Sequence, residues 1–573
     1  MAPLMSALLG IATPMNNFGI LPRDVINATD LYILYAAQGN AHQLYSQYNS
    51  LLQEHEKGLF AKFLPSFRVD NIIIDFKQYI ETQNSYANED QAITASYNFM
   101  HSCLKGIDYY FSYYRTVLLV ATTASILGWL GYLLKLLGDM RTFTKDSRKL
   151  LKNSFVNMLN KKILFVLSAF TLGFCLLQKL SWSITIYLLL PFAVWYLFLS
   201  HPGIILLTDV KFGLTKFHLL VLLLCAELLV YTFFDRRCIS LGFLLFTLQD
   251  KICKKFFTKT LKFYISFFLS LVLCVFPLLP ISVGYSNNLL LYCGIFMTLV
   301  RPLLVKNSVM LIDKIVVLIA LINAFICIYM HTYQLGIMFI NQFISWGFLL
   351  YVLVSLVRPC NLTVKQRLEK FITLLSSLYA LFCTSYEALF ILFLITELIL
   401  SIDSSISYEN CVSPLVSSPK LQTLAYSFRL AFIILLYTFF SFFGTGNMAS
   451  INSFDPNIIR CFLTTFSPFV IMFLVILKLI IPIFLIIAII FALSPLACQN
   501  ERQIFICLLL ICDVMGLNFL FLVKNQGSWL EIGTSISHFV IMQVTTLVLL
   551  LFVSLAKFLL KINTPNVSFG KVI

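Results

Sequence analysis

The sequence predicts an all-α polytopic membrane protein, with about 14–15 transmembrane helices preceded by a lumenal, mainly helical segment. Three observations predict it. Of the 573 residues, 59% are hydrophobic and only 12% are charged, which lies outside the range of a soluble domain. Apolar runs of roughly 15 to 25 residues recur from residue 116 to the C-terminus, each near the length that spans a hydrocarbon core. The Lys and Arg that give a net charge of +15 sit in short loops between those runs rather than in one stripe. They read as topology signals and exclude nucleic acid as a partner. Barrel strands would be shorter and would alternate apolar with polar residues.

Residues 1–114 are polar and mixed in charge. Asp30 is placed to open a helix through "LYILYAAQGNAHQLYSQYNSLLQEHEK", where Leu and Tyr recur at roughly helical spacing. A second helical stretch, 74–114, ends in "IDYYFSYYR", which suits either the headgroup level of a membrane or a packed helical surface. The start, "MAPLMSALLGIATPMNNFGILP", has no basic n-region and is broken by prolines, so it is no signal peptide.

The first span is 116–138, and the loop after it carries Arg141, Lys145, Arg148, Lys149, Lys152, Lys161 and Lys162 against Asp139 and Asp146. The positive-inside rule makes that loop cytosolic and places residues 1–114 on the opposite side, in the lumen or outside the cell. The sequon Asn27-Ala28-Thr29 fits, since a glycan is added only there. Further spans follow at 163–178, 183–200, 216–234, 238–249, 263–283, 287–305, 314–330, 335–357, 371–384, 386–400, 430–443, 461–493, 503–523 and 533–558. The weak member is 238–249, which is short; without it, everything downstream would change side.

Alternating from the first loop brings three polar stretches to the lumenal face: "TSYEALF" (384–390), "FFGTGNMASINSFD" (442–455) and "KNQGSWLEIGTSISH" (524–538). Irregular backbone at a membrane face is tolerated where it is buried in protein or lines a watery cavity. In the second stretch Gly444 and Gly446 permit tight backbone, while Thr445, Asn447, Ser450, Asn452, Ser453 and Asp455 supply hydrogen-bonding groups. That inventory suits a sugar or phosphate headgroup, or a loop bonded to itself. Glu227, Glu387, Glu397, Lys478 and Asp513 are ionisable residues inside spans, which mark either functional sites or pairs that fix helix packing. Glu387 is the sharpest of them because the Ser385-Tyr386 break opens its surroundings. His538 and Trp529 near the same face are candidates for headgroup contact, though such a Trp also serves as an interface anchor.

No catalytic centre is visible. The seven histidines form no HxH or HxxxH pair, no glycine-rich phosphate loop follows a strand, and the fifteen cysteines show no CxxC. No disulfide framework or metal site is indicated.

At "FFGTGNMASINSFD", "GSWLEIGTSISHFVI", "YEALF", "NQFISW" (341–346) and "FGILP" (18–22), the sequence closely resembles the GPI ethanolamine phosphate transferase 1 family, with weaker similarity over essentially the whole chain. The resemblance implies work in the endoplasmic reticulum: transfer of ethanolamine phosphate from phosphatidylethanolamine to the first mannose of the GPI precursor lipid. It implies a lumenal alkaline-phosphatase-like domain with a Thr nucleophile and two zinc ions held by Asp and His, suited to phosphoryl transfer through a covalent intermediate.

On that comparison residues 1–29 resemble the end of the catalytic domain, 30–114 a lumenal helical linker, 115–560 the membrane domain and 561–573 a tail. The nucleophile and the zinc ligands have no counterpart here, so no catalytic residue carries over, and the chain is expected to be a truncated isoform, an incomplete gene model or a membrane part with a separate existence. Glu387, Gly444, Thr445, Asn447, Asn452, Asp455, Lys478, Trp529 and His538 are the expected substrate-binding residues, and Asn27 the glycosylated one. Three functional readings follow: a lipid-binding membrane domain, with any catalytic domain acting in trans; a transporter or lipid conduit, against which no internal repeat is evident; and a nonfunctional fragment.

Overall fold

The computed structural model describes residues 1–59, 76–81, 89–141, 154–201, 216–255, 261–280, 287–304, 310–358, 362–412, 419–445, 456–494, 500–524 and 527–561. Among them the chain is helical throughout, without strands, and divides into two compact units.

The first unit holds residues 1–135 and 142–204. Helices α1 (Ala2–Leu9), α2 (Asp30–Glu56) and α3 (Glu89–Ser112) form its polar part. Helix α2 turns Ala37, Ala41, Leu44 and Tyr48 to one face, at the three-and-four spacing of an amphipathic helix, against Phe99, Met100, Cys103 and Ile107 of α3. Polar side chains on these helices hold the irregular segment after α1. Gln43 Nε2 donates to Met15 O and Asn17 O at 2.8 and 3.0 Å, Leu21 N donates to Asn40 Oδ1 at 3.1 Å, and Tyr97 Oη to Leu21 O at 2.6 Å. Asn27 lies exposed just before α2.

Three apolar helices complete this unit: α4 (Arg115–Arg141), α5 (Ser154–Leu177) and α6 (Trp182–Ser200). Gly128 and Gly131 let α6 approach α4, since a Cβ at either would lie 3.0 Å from Trp195 or Phe198. Lys135 then reaches the end of α6, donating to Phe198 O at 2.7 Å and His201 O at 3.3 Å, where a cation meets the negative pole of the helix.

The second unit, residues 136–141 and 205–573, carries α7 (Lys216–Thr232), α8 (Cys238–Lys255), α9 (Leu261–Val275), α10 (Asn288–Leu304), α11 (Leu311–Thr332) and α12 (Phe339–Val357). It continues with α13 (Val364–Leu381), α14 (Glu387–Val412), α15 (Pro419–Phe443), α16 (Pro468–Leu493), α17 (Glu501–Leu522) and α18 (Trp529–Lys561). Helices α4–α18 number fifteen and coincide one for one with the apolar runs of the sequence. Among the described residues ten helices are long and apolar enough to cross a membrane, the α3–α4 stretch counting as one; Cys238–Gln249 and Asn288–Leu304 are apolar but shorter. The short run at 238–249 continues as helix to Lys255, packing against α7 where Gly242 meets Leu228. The run beginning at 461 starts its helix only at Pro468, whose fixed φ and missing N–H suit a first helical turn.

Helices α13–α16 form the centre, with nearly every side chain of 371–398 and 430–443 buried. One end of the unit gathers charge: Arg301–Glu369 at 2.9 Å, Lys370–Asp313 at 3.5 Å, and Lys557 paired with Glu501. The other end carries the break between α13 and α14.

Candidate functional site

Helix α13 stops at Leu381, and residues 382–386 run irregularly before α14 begins at Glu387. A free carbonyl or amide in a bilayer is costly, so such a break needs partners. Glu387 supplies one: its Oε2 accepts from Thr384 N at 3.2 Å. Its Oε1 accepts from Lys478 Nζ of α16 at 2.6 Å, and the two residues are 0% and 1% exposed. Two of the intramembrane charges expected to bind or to pair are therefore paired.

Arg460 enters beside them. It follows the 3-10 turn Pro456–Ile459, is 5% exposed, and donates from Nη2 to Cys383 O at 3.0 Å. Its Nε has no hydrogen-bond partner, and neither has the Oγ of Ser385, which is 0% exposed. Among the described residues the break thus holds two cations and one carboxylate.

Residues of three of the sequence motifs, "NQFISW", "YEALF" and the start of "FFGTGNMASINSFD", lie around the break. Trp346 of "NQFISW" donates from Nε1 to Phe462 O at 3.0 Å, and Phe462 stacks on Phe382 at 4.8 Å. Tyr386 donates to Pro280 O at 2.8 Å. Gly444 closes α15 against this core: a Cβ there would lie 2.5 Å from Phe390 and 2.6 Å from Phe440 O, so only glycine fits. Thr445 is buried beside it. Asn447, Asn452 and Asp455 lie outside the described residues.

His538 joins through a ring cluster. Its imidazole packs on Phe233 at 5.3 Å, and Phe233 packs on Phe443 at 4.9 Å, next to Gly444. The Nδ1 of His538 is buried without a hydrogen-bond partner. Trp529 is 91% exposed, the position of an interface anchor. The other intramembrane carboxylates go elsewhere. Glu397 takes hydrogen bonds from Ser270 at 3.1 Å, Ser266 at 3.4 Å and Tyr437, while Glu227 takes two from Asn518 at 3.1 and 3.3 Å. Asp513 lies on α17.

Sequence reasoning missed Arg460 and Cys383, and saw Ser385 only as part of the break. The available signal was a lone Arg in "DPNIIRCFL", between a polar stretch and an apolar run. Its partner, a carbonyl 77 residues away, leaves no trace in the sequence. Among the described residues no three His, Cys, Asp or Glu side chains converge as metal ligands, so no zinc chemistry is derived for them.

The fold and site define a polytopic helical membrane protein with a charged, buried polar site at one end of its bundle. Residues 105–528 match the family model described as Phosphatidylinositolglycan class N (PIG-N), and the chain belongs to that family. Three relatives, each named GPI ethanolamine phosphate transferase 1, come from mouse, human and Aspergillus fumigatus. The mouse protein is 30% identical over 97% of this chain and 64% of its own length. The human protein is 32% identical, with the same two coverages of 97% and 64%. The fungal protein is 25% identical over 99% of this chain and 61% of its own length. The chain thus spans less than two thirds of the relatives it matches. No solved structure matches it.

Proposed function

We propose that this chain is the membrane part of a GPI ethanolamine phosphate transferase, working in the endoplasmic reticulum. In this reading it holds phosphatidylethanolamine and the mannosylated GPI precursor while ethanolamine phosphate passes to the first mannose. The catalytic chemistry, with its nucleophile and two zinc ions, belongs to the alkaline-phosphatase-like domain, of which residues 1–29 are the end. Residues 30–114 are the lumenal linker, 115–560 the lipid-binding domain and 561–573 the tail. The names of the relatives support the reaction.

The observation that carries the substrate-binding role is the Lys478–Glu387 pair at the α13–α14 break, with the Gly444 end of α15 beside it. A buried ion pair is costly to assemble and is weak as a stability device, so its retention inside a membrane argues for use. In this reading Gly444, Thr445, Asn447, Asn452, Asp455, His538 and Trp529 are the further substrate-binding residues.

The test is made in cells that express the protein, with Lys478→Leu and Glu387→Leu introduced together at the chromosomal copy, so that no buried charge is left unpaired. The expected result is accumulation of GPI precursor lacking ethanolamine phosphate on its first mannose, at unchanged protein level. An unaltered precursor profile with the substituted protein present at normal level would overturn the reading.

A further inference from the structure

Among the described residues the α13–α14 break holds two buried cations and one carboxylate, together with buried hydrogen-bonding capacity that no contact uses. Lys478 is spent on Glu387 at 2.6 Å. Arg460 donates from Nη2 to the Cys383 carbonyl and lies beside the Cys461 thiol, and its buried Nε donates to nothing. A guanidinium carries five donors in a planar fork suited to phosphate oxygens, and a buried donor left unused is unfavourable. Ser385, two residues beyond Cys383, keeps a fully buried hydroxyl without a partner. Native proteins rarely leave such groups unsatisfied. Both atoms sit where the 26-residue helix α14 begins, and a helix start presents the positive pole of its dipole.

We propose that the α13–α14 break is an anion subsite in which Arg460, Ser385 and the N-terminus of α14 receive a phosphate group. This rests on the reading of the break as the headgroup site and adds the part of the headgroup that it takes. The phosphate accepts one hydrogen bond from Arg460 Nε and another from the Ser385 hydroxyl. Glu387 stays with Lys478, so the pair lines the rest of the headgroup site while Arg460 takes the phosphate.

The full chain purified in detergent is titrated with dihexanoyl phosphatidylethanolamine, dihexanoyl phosphatidic acid, dihexanoylglycerol and inorganic phosphate, with the melting temperature as readout. The two phospholipids are expected to raise it and dihexanoylglycerol is not. Protection by inorganic phosphate at similar concentration assigns the site to the bare anion, and protection by the phospholipids alone assigns it to a lipid source. Equal protection by dihexanoylglycerol would overturn the proposal. Arg460→Gln should weaken phospholipid binding about tenfold or more, with Arg460→Lys between it and the native chain.

Because Arg460 is buried, Ser385→Ala provides the independent check. Removing an unpartnered hydroxyl should raise the melting temperature of the ligand-free chain while lowering phospholipid affinity by roughly threefold to tenfold. A lower ligand-free melting temperature with unchanged affinity would make the hydroxyl purely structural and sink the idea. Failure of the broader functional reading looks different: the GPI precursor profile ignores the Lys478→Leu, Glu387→Leu double replacement, while purified chain still binds phospholipid through Arg460.

Discussion

Lys478 and Glu387, 91 residues apart in the chain, meet at 2.6 Å with neither exposed to the surroundings. Each is the other's compensation, since a single charge left alone in a protein interior is far costlier than the pair. Lys478→Leu or Glu387→Leu alone should destabilise the chain by about 3–5 kcal/mol. The double replacement should cost much less than the sum, because it leaves no unpaired charge. Thermal unfolding of the purified chain and its three variants tests this, and additive losses would show that the two side chains do not act as a pair.

Gly444→Ala tests the closure of α15. The new methyl would sit 2.5 Å from the Phe390 ring and 2.6 Å from the Phe440 carbonyl, and the latter is backbone that cannot swing aside. A cost of about 1–3 kcal/mol is expected from such overpacking. Gly347, which has open space at its Cβ position, should accept Ala with little change in melting temperature and serves as the comparison.

These two sites show what the sequence reveals and what it hides. Helices α4–α18 are legible because a bilayer demands a continuous apolar run for each crossing, and even the doubtful 238–249 run proves helical. Glu387 and Lys478 are legible because a charge inside such a run has no cheap explanation. Gly444 is legible as a special position, but its reason, the Phe390 ring, belongs to another helix. Arg460 escapes because it lies at the edge of an apolar run, where Arg is ordinary, and only folding brings it to Cys383. Ser385 escapes because an unsatisfied hydroxyl is a property of surroundings, not of residue type.

In the polar part of the first unit, stability should depend on pH through His55. Burial lowers its pKa below the usual 6.5, and its Nε2 has no hydrogen-bond partner. The unfolded chain therefore takes up this proton first. Stability is complete above about pH 6.5 and declines as the pH falls toward the lower folded value. His55→Phe, which keeps a ring beside Tyr110 and Tyr113, should flatten that decline between pH 6.5 and 5. Equal slopes for both proteins would count against this assignment.

Tyr48 offers a gain rather than a loss. Its phenol is buried in the α2–α3 interface without a hydrogen-bond partner, and burial is the main cause that pushes its pKa up to about 12. Tyr48→Phe keeps the ring contact with Tyr110 and removes the stranded hydroxyl, so a stabilisation of about 1 kcal/mol is expected. Urea unfolding followed by a probe in α2 or α3 measures it.

The sidedness of the site is tested at Asn27. This residue is exposed immediately before α2, in the polar part that precedes every apolar helix. If residues 1–114 are lumenal and each of the fifteen helices α4–α18 crosses once, the ten helices α4–α13 return the chain to the lumen at the α13–α14 break. The twelve helices α4–α15 do the same for Gly444, and the fourteen helices α4–α17 for Trp529. The fifteenth then carries the tail to the cytosol. A glycan on Asn27 would fix the first term of that parity, and Asn27→Gln should abolish the mobility shift produced by a peptide glycosidase. The last term is checked separately, with an epitope added after residue 573: it should be digested by protease outside sealed microsomes while the Asn27 region stays protected. Protection of both ends would mean that one crossing is missing; a missing crossing before α14, such as the short 238–249 run, would move the break, with Lys478, Glu387 and Arg460, to the opposite face.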